Sequence, residues 1–204
     1  MTVNVKDIPV YYLNPDSFQQ RRERMDKFLQ QLGFSFERIP SNSKHELRQV
    51  RINEGFIKLS ETAIERGVYP FLILEDDATL IKQLPEKINI PDGIKFIYWG
   101  ASLWECGGIK PNLKISEYNQ DYYRLHHSLG CHAILVTSKE AAEHFIKINK
   151  KAITKSNYSD IYFAVDSSTE IYLTPKDGPY IYQNDAHTEP ITNFLWENKK
   201  NYLT

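Results

Sequence analysis

The stretch Tyr69-Pro70-Phe71-Leu72-Ile73-Leu74-Glu75-Asp76-Asp77-Ala78 decides how this chain is read. Its apolar run, Tyr69 to Leu74, has no polar alternation, as expected of a parallel strand covered on both faces. It ends on three consecutive carboxylates. In open α/β sheets the carboxyl ends of the strands open into the ligand crevice. Crowded acids repel one another there, and burying them uncompensated raises their pKa values. A bound cation resolves the conflict, so the triplet reads as a divalent-metal site for a phosphorylated ligand. Its hard oxygens suit Mn²⁺ or Mg²⁺ and leave positions for phosphate oxygens and water. The competing reading is an acidic strand end that caps the next element.

Strand and helix patterns alternate around this anchor. Ile8 to Leu13 is a β-branched and aromatic strand stopped by Asn14-Pro15-Asp16. Phe18, Met25, Phe28, Leu29 and Leu32 then recur at helical spacing, with Asp16 or Ser17 as the cap and Gly33 as the stop. Phe34 to Ile39 alternates like a second strand, and Ile52, Phe56, Leu59, Ala63 and Ile64 mark a helix ending at Gly67. After the carboxylates, strands are expected at Ile94 to Trp99, Tyr122 to His126, Cys131 to Val136, Ile171 to Leu173 and Tyr180 to Gln183. Thr137-Ser138-Lys139-Glu140 is a capping box that opens a helix carrying Ala141, Ala142, Phe145, Ile146 and Ile148. The segment from Ala101 to Asp121 is irregular, as a lid or binding loop would be. Together these patterns predict an α/β fold with a Rossmann-like, mixed central sheet flanked by helices.

With 204 residues and apolar positions along its whole length, the chain has material for one domain, residues 1–204. Lys and Arg number 25 against 26 Asp and Glu, which argues against a dedicated nucleic-acid surface. Cys106 and Cys131 are too few for a disulfide framework, so a reducing compartment, the cytoplasm, is expected. Met1 to Asp7 lacks the features of a secretory signal, and no apolar run approaches the roughly 20 residues that span a bilayer. The segment Phe194, Leu195, Trp196, Lys199, Lys200 and Tyr202 mixes aromatic and basic side chains. It reads as a terminal helix packing on the domain, or at most as a peripheral membrane contact.

The run Phe71 to Ala78 closely resembles the acidic motif of glycosyltransferase family 25, the group of lipopolysaccharide and collagen galactosyltransferases. Tyr12-Leu13-Asn14 with Arg21-Arg22 and Met25 looks like that family's opening strand and first helix. Phe96-Ile97-Tyr98-Trp99-Gly100 resembles its next core strand, and Gly130-Cys131-His132-Ala133-Ile134-Leu135 its later strand. One departure is clear: family members carry Ser-His before the acidic strand, where this chain has Gly55-Phe56.

The resemblance implies a GT-A fold, a nucleotide-sugar donor, simplest as UDP-glucose or UDP-galactose, and a divalent metal on Asp77 with Asp76. The resemblance does not fix the acceptor; the expected one is a glycan or glycoprotein hydroxyl. Further GT-A likeness assigns Ser128-Leu129-Gly130 to the loop beside the donor sugar, Asp160 to the catalytic base of an inverting transfer, and His187 to a late metal ligand. The plainer readings are a turn at Gly130, a helix cap at Asp160 and a surface histidine at His187. Tyr11, Tyr12, Leu13 and Asn14 are positioned for the nucleotide, with Glu75 and Asp76 beside them and Arg21 for the diphosphate; either tyrosine reads equally as core, since alternation sends one of the pair inward. Trp99, Trp104, Tyr122 and Tyr123 are candidates to grip an acceptor sugar, or core aromatics. His126 and His127 point to opposite faces of a strand and cannot grip one ion together; His132 lies close by. Two rival functions use the same residues: a metal-dependent phosphohydrolase or nucleotidyltransferase, and a catalytically silent sugar-binding domain.

Overall fold

The computed structural model describes residues 1–102, 114–127, 129–178 and 180–183. Trp104, Cys106, Ser128, His187 and the aromatic and basic segment from Phe194 to Tyr202 lie outside the described residues.

The first third of the chain forms a parallel unit. It comprises β1 (Thr2–Asn4), β2 (Val10–Leu13), α1 (Gln19–Leu32), β3 (Phe36–Ile39), α2 (Arg48–Arg66) and β4 (Phe71–Glu75). β2 lies between β3 and β4 and runs parallel to both. The chain continues through β5 (Ala78–Leu80), β6 (Lys87–Asn89), β7 (Phe96–Ser102), β8 (Lys114–Glu117), β9 (Tyr122–His126) and β10 (Leu129–Val136). α3 (Lys139–Thr154), α4 (Ser159–Asp166), β11 (Tyr172–Pro175) and β12 (Ile181–Gln183) follow. The main sheet has the order β3-β2-β4-β10-β7-β11-β9-β8, and β1-β6 and β12-β5 are two-stranded antiparallel pairs. β10 is antiparallel to both β4 and β7, whereas β11 is parallel to β7, so the sheet is mixed as expected.

Both faces of this sheet are covered, which explains the unbroken apolar runs. All four β2 residues and Phe71 to Leu74 of β4 are buried. Met25 and Leu29 of α1 pack on one face with Tyr12, Leu72 and Leu74. Phe56 of α2 and Phe145 of α3 pack on the other, with ring centroids 5.6 Å apart. Phe96 of β7 meets Phe145, Phe163 and Tyr172 at 5.0 to 6.0 Å, locking α3, α4 and β11 to the sheet centre.

Asn53, fully buried on α2, donates from Nδ2 to the Asn157 carbonyl at 2.8 Å, and Gln49 donates to the Ser156 carbonyl at 2.9 Å. These bonds fasten the loop leading into α4 onto α2.

Helix ends follow the sequence in part. Gly33 and Gly67 end α1 and α2 in the left-handed conformation, and the Ser138 hydroxyl accepts from Ala141 N to cap α3. α1 departs from expectation. It starts at Gln19 with Phe18 at the cap and no side-chain cap bond, because Asp16 is held by Arg38 and Asn42 instead. β8 is a second departure. Part of the segment read as irregular pairs with β9 at the sheet edge, turned by Asn119 Oδ1, which accepts from Asp121 N and Tyr122 N. No helix among the described residues is long and apolar enough to cross a membrane.

Asp166 ties three elements together. Its Oδ2 accepts from Tyr172 Oη at 2.6 Å and lies 2.8 Å from His144 Nε2. Burial alone would raise its pKa, but the bonds to His144 and Tyr172, with Lys95 nearby, outweigh it and hold the carboxyl below its ordinary value. A depressed carboxyl pKa adds stability that is present above the unfolded value near pH 4 and lost as pH falls through the folded value. Asp166→Asn is therefore expected to cost about 1 kcal/mol at neutral pH. It should also flatten the fall in melting temperature below about pH 4. Thermal melts from pH 7 to pH 3 check this; an acid limb as steep as in the unsubstituted protein would remove Asp166 from the account.

Candidate active site

The carboxyl ends of β2 and β4 bring Asn14 against Asp76. Asn14, fully buried, donates from Nδ2 to Asp76 Oδ2 at 2.7 Å and to the Phe18 carbonyl at 3.1 Å. Arg38 Nη1 donates to the Asn14 carbonyl and to Asn14 Oδ1 at 3.2 and 3.3 Å, fixing the amide's orientation. The Asn14-Pro15-Asp16 turn then swings α1 over the sheet end, delivering two arginines. Arg21 Nη1 donates to Asp76 Oδ1 at 3.1 Å and stands 3.7 Å from Asp77 Oδ2. Arg24 Nη2 donates to the Asp76 main-chain carbonyl at 2.7 Å.

Asp76 and Asp77 are only 7% and 5% exposed, too enclosed for water alone to compensate them. Half-buried Glu75 joins them. Its carboxyl is pushed well above the usual range by burial first, then by the charges of Asp77, Asp160 and Asp76, with Arg48 opposing.

Asp160 reaches this cluster from the far side of the sheet. It occupies the first turn of α4, and Gly130 N donates to its Oδ1 at 3.0 Å. The reason lies in β10. Between the pairs Leu129–Ser102 and Ala133–Gly100, three residues of β10 oppose one of β7, and Gly130 adopts φ +95°. Such a bulge removes main-chain N–H groups from the ladder, and they need another acceptor. The Asp160 carboxylate is that acceptor. Burial raises its pKa, against the lowering bonds from the Cys131 thiol and from the Gly130 and Cys131 amides. Cys131 is itself buried, its thiol pushed up by burial and by Asp160 and Glu75.

Beside this cluster, at the carboxyl end of β3, a cleft of about 290 Å³ is lined by Pro40, Ser41, Asn42, Ser43, Glu54, Gly55 and Lys58. A Cβ on Gly55 would lie 3.0 Å from Ser41 Cβ and 3.3 Å from Leu13 Cδ2, so the glycine lets α2 approach the strand ends. Apart from Gly55, where the family carries its Ser-His pair, these lining residues escape the sequence reading. The usable signal is the polar turn after Ile39, at the strand end where such sheets take ligands. Its neighbour Phe56 is a core residue packed on Phe145, not a wall of the cleft.

Other expected site residues are placed differently. Tyr11 and Leu13 are 3% and 6% exposed, and Tyr12 is fully buried with its hydroxyl donating to Asp26. Both tyrosines are core because the sheet is covered on both faces. Trp99 is fully buried edge-on to Tyr180, and Tyr122 is 3% exposed, so both fill the core rather than offer a face to an acceptor sugar. Tyr123 is half-buried under Lys176 Nζ. The histidines do not converge: His126 Nε2 bonds to Ser116 Oγ at 3.0 Å, and His132 is buried and pushed down to about 4 by its burial.

Among the described residues, no group of three or more His, Cys, Asp or Glu side chains is placed to hold a metal ion by itself. The two buried aspartates with hard oxygens match the other common arrangement, in which one or two carboxylates share Mg²⁺ or Mn²⁺ with substrate phosphates.

No family model matches the chain, and no curated protein matches it. Solved structures do. A glycosyltransferase involved in glycosylation of the major capsid of PBCV-1 superposes with a TM-score of 0.54 at 13% identity, covering 82% of this chain and 81% of that one. The chain has a GT-A glycosyltransferase fold. Looser likenesses extend to a Drosophila β-1,4-galactosyltransferase 7 mutant in complex with manganese, UDP-Gal and xylobiose (TM-score 0.44, 15% identity, 87% of this chain and 71% of that one). Mannose-1-phosphate geranyltransferase from Thermus thermophilus is another (TM-score 0.40, 7% identity, 84% and 74%).

Proposed function

We propose that this chain is a metal-dependent glycosyltransferase of the family 25 type. In this reading it moves a hexose from UDP-glucose or UDP-galactose to a hydroxyl of a glycan or glycoprotein acceptor, with inversion. The observation that carries the reading is the pair Asp76 and Asp77, nine-tenths buried at the end of β4, on which Asn14 and Arg21 converge. The motif resemblance and the GT-A fold support it independently of that geometry.

Asp77 and Asp76 would hold the Mn²⁺ or Mg²⁺, with His187 as a further ligand, and the ion's charge would stabilise the departing diphosphate. The remaining roles fall to the chain's own groups. The cleft between Pro40 and Lys58 receives the nucleoside, and Asn14, fixed by Arg38, keeps Asp76 in one orientation. The donor sugar lies against Gly130. Asp160 takes the acceptor hydroxyl's proton as that oxygen bonds to the anomeric carbon and the bond to the diphosphate breaks. Its raised pKa suits a group that must accept and release a proton, and two main-chain amides fix its aim. Trp104 remains a candidate for the acceptor.

The test is a thermal-shift screen of UDP-, GDP-, dTDP- and CMP-sugars with and without Mn²⁺. A UDP-sugar with Mn²⁺, at a hundredfold its Kd, is expected to add about 2.7 kcal/mol, a rise of roughly 5 to 10 °C. Stabilisation that ignores both the base and the metal would overturn the reading, and phosphate release without sugar transfer would reassign the site to a hydrolase.

A further inference from the structure

Arg21 stands where the buried aspartates call for positive charge. One nitrogen, Nη1, serves both: it is 3.1 Å from Asp76 Oδ1 and 3.7 Å from Asp77 Oδ2. Arg24, one turn away, reaches only the main-chain carbonyl of Asp76. Asn14 holds the other Asp76 oxygen but carries no charge. A divalent ion would be held by these same carboxylate oxygens. Two cations packed against the same few oxygens in so enclosed a place repel each other strongly.

Arg21 is built to move. Its side chain is 39% exposed, on a long stem in the first turn of α1, with the guanidinium 5.3 Å over the ring of Phe18, itself 49% exposed. A planar guanidinium that leaves one anionic partner is well suited to grip another, and phosphate oxygens match its fork.

We infer that Arg21 is a resident counter-ion of Asp76 and Asp77 that the divalent metal displaces and the nucleotide's diphosphate receives. The inference rests on the metal reading above. It makes metal and diphosphate bind cooperatively: alone, the ion competes with Arg21, whereas with the diphosphate present the guanidinium has somewhere to go.

The experiment needs no turnover. Mn²⁺ binding, read by the electron paramagnetic resonance of the free ion, is measured for the unsubstituted protein, Arg21→Gln and Arg24→Gln, with and without UDP. Arg21→Gln is expected to bind Mn²⁺ alone about tenfold more tightly than the unsubstituted protein, and the tightening produced by UDP should shrink by a similar factor. Arg24→Gln, which removes a charge that reaches the main-chain carbonyl rather than the carboxylates, should tighten Mn²⁺ binding less than Arg21→Gln does.

A folded Arg21→Gln that binds Mn²⁺ alone no more tightly than the unsubstituted protein would overturn the inference. If that variant does not fold, Arg21→Met carries the test: it keeps most of the stem's bulk without the charge, so tighter Mn²⁺ binding supports displacement and equal binding rejects it. Failure of the unsubstituted protein to bind Mn²⁺ even with UDP would remove the metal reading, and this inference with it. Normal UDP-dependent binding with an indifferent Arg21→Gln rejects the inference alone.

Discussion

Asp77→Ala is expected to abolish the Mn²⁺-dependent stabilisation by UDP and to lower sugar transfer by roughly 10³-fold or more, as loss of a leaving-group stabiliser does. Asp160→Asn is expected to keep that stabilisation and lose about 10² to 10⁴ in turnover, as loss of a general base does. The contrast separates a group that holds the donor from a group that handles the proton. Neither loss should come from unfolding. Removing Asp77 relieves repulsion on Glu75 and leaves Arg21 paired with Asp76, so the melting temperature should hold or rise. Asparagine at position 160 keeps an oxygen that can accept from Gly130 N, so the β10 bulge retains its anchor. Calorimetric UDP titrations with Mn²⁺, paired with initial rates, read both variants. Near-normal turnover in Asp160→Asn would remove that residue from the base role, and undiminished metal-dependent binding in Asp77→Ala would remove the metal from the carboxylates.

The largest stability effect is expected at Gly100. A Cβ there would fall well inside contact distance of His132 Nε2 and of the Ile181 carbonyl oxygen, and 2.8 Å from His132 Cδ2. The carbonyl belongs to main chain, and His132 is enclosed on the bulged strand, so neither neighbour yields cheaply. Overpacking of this kind costs about 3 kcal/mol or more, a drop of roughly 6 to 12 °C in a chain of this size. Adding His132→Ala should restore only part of the loss, because the Ile181 oxygen remains. Thermal melts of the single and double variants decide. An unchanged melting temperature for Gly100→Ala would mean that β7, β10 and β12 can part at no cost.

Much of this architecture is legible in the residues because burial leaves a period or a stop. The Phe71 to Leu74 run has no alternation because helices cover both sheet faces. Gly33, Gly67 and Ser138 mark helix ends by chemistry that does not depend on distant contacts. Less legible are positions whose role is set by what lies across the sheet. Trp99 and Tyr122 look like sugar platforms, but their own side chains are enclosed in the core. β8 is missed because Lys114 to Glu117 is short and polar, and only pairing with β9 makes it a strand. At the site, Glu75, Asp76, Asp77, Asn14, Arg21 and Asp160 can be picked out individually. Their grouping cannot, because the contacts that join them span tens of residues and depend on a β10 bulge that no local pattern announces.

α2 has a consequence for anyone who retunes this protein. Glu54, Gly55 and Lys58 line the cleft, while Asn53 and Gln49, on the same rod, grip the loop that aims Asp160. In the proposed reading, donor seat and proton acceptor thus ride on one lever. A substitution that tilts it to admit a different base is then expected to re-aim the Asp160 carboxylate as well, so selectivity and rate should drift together under selection unless the Asn53 bond is left alone.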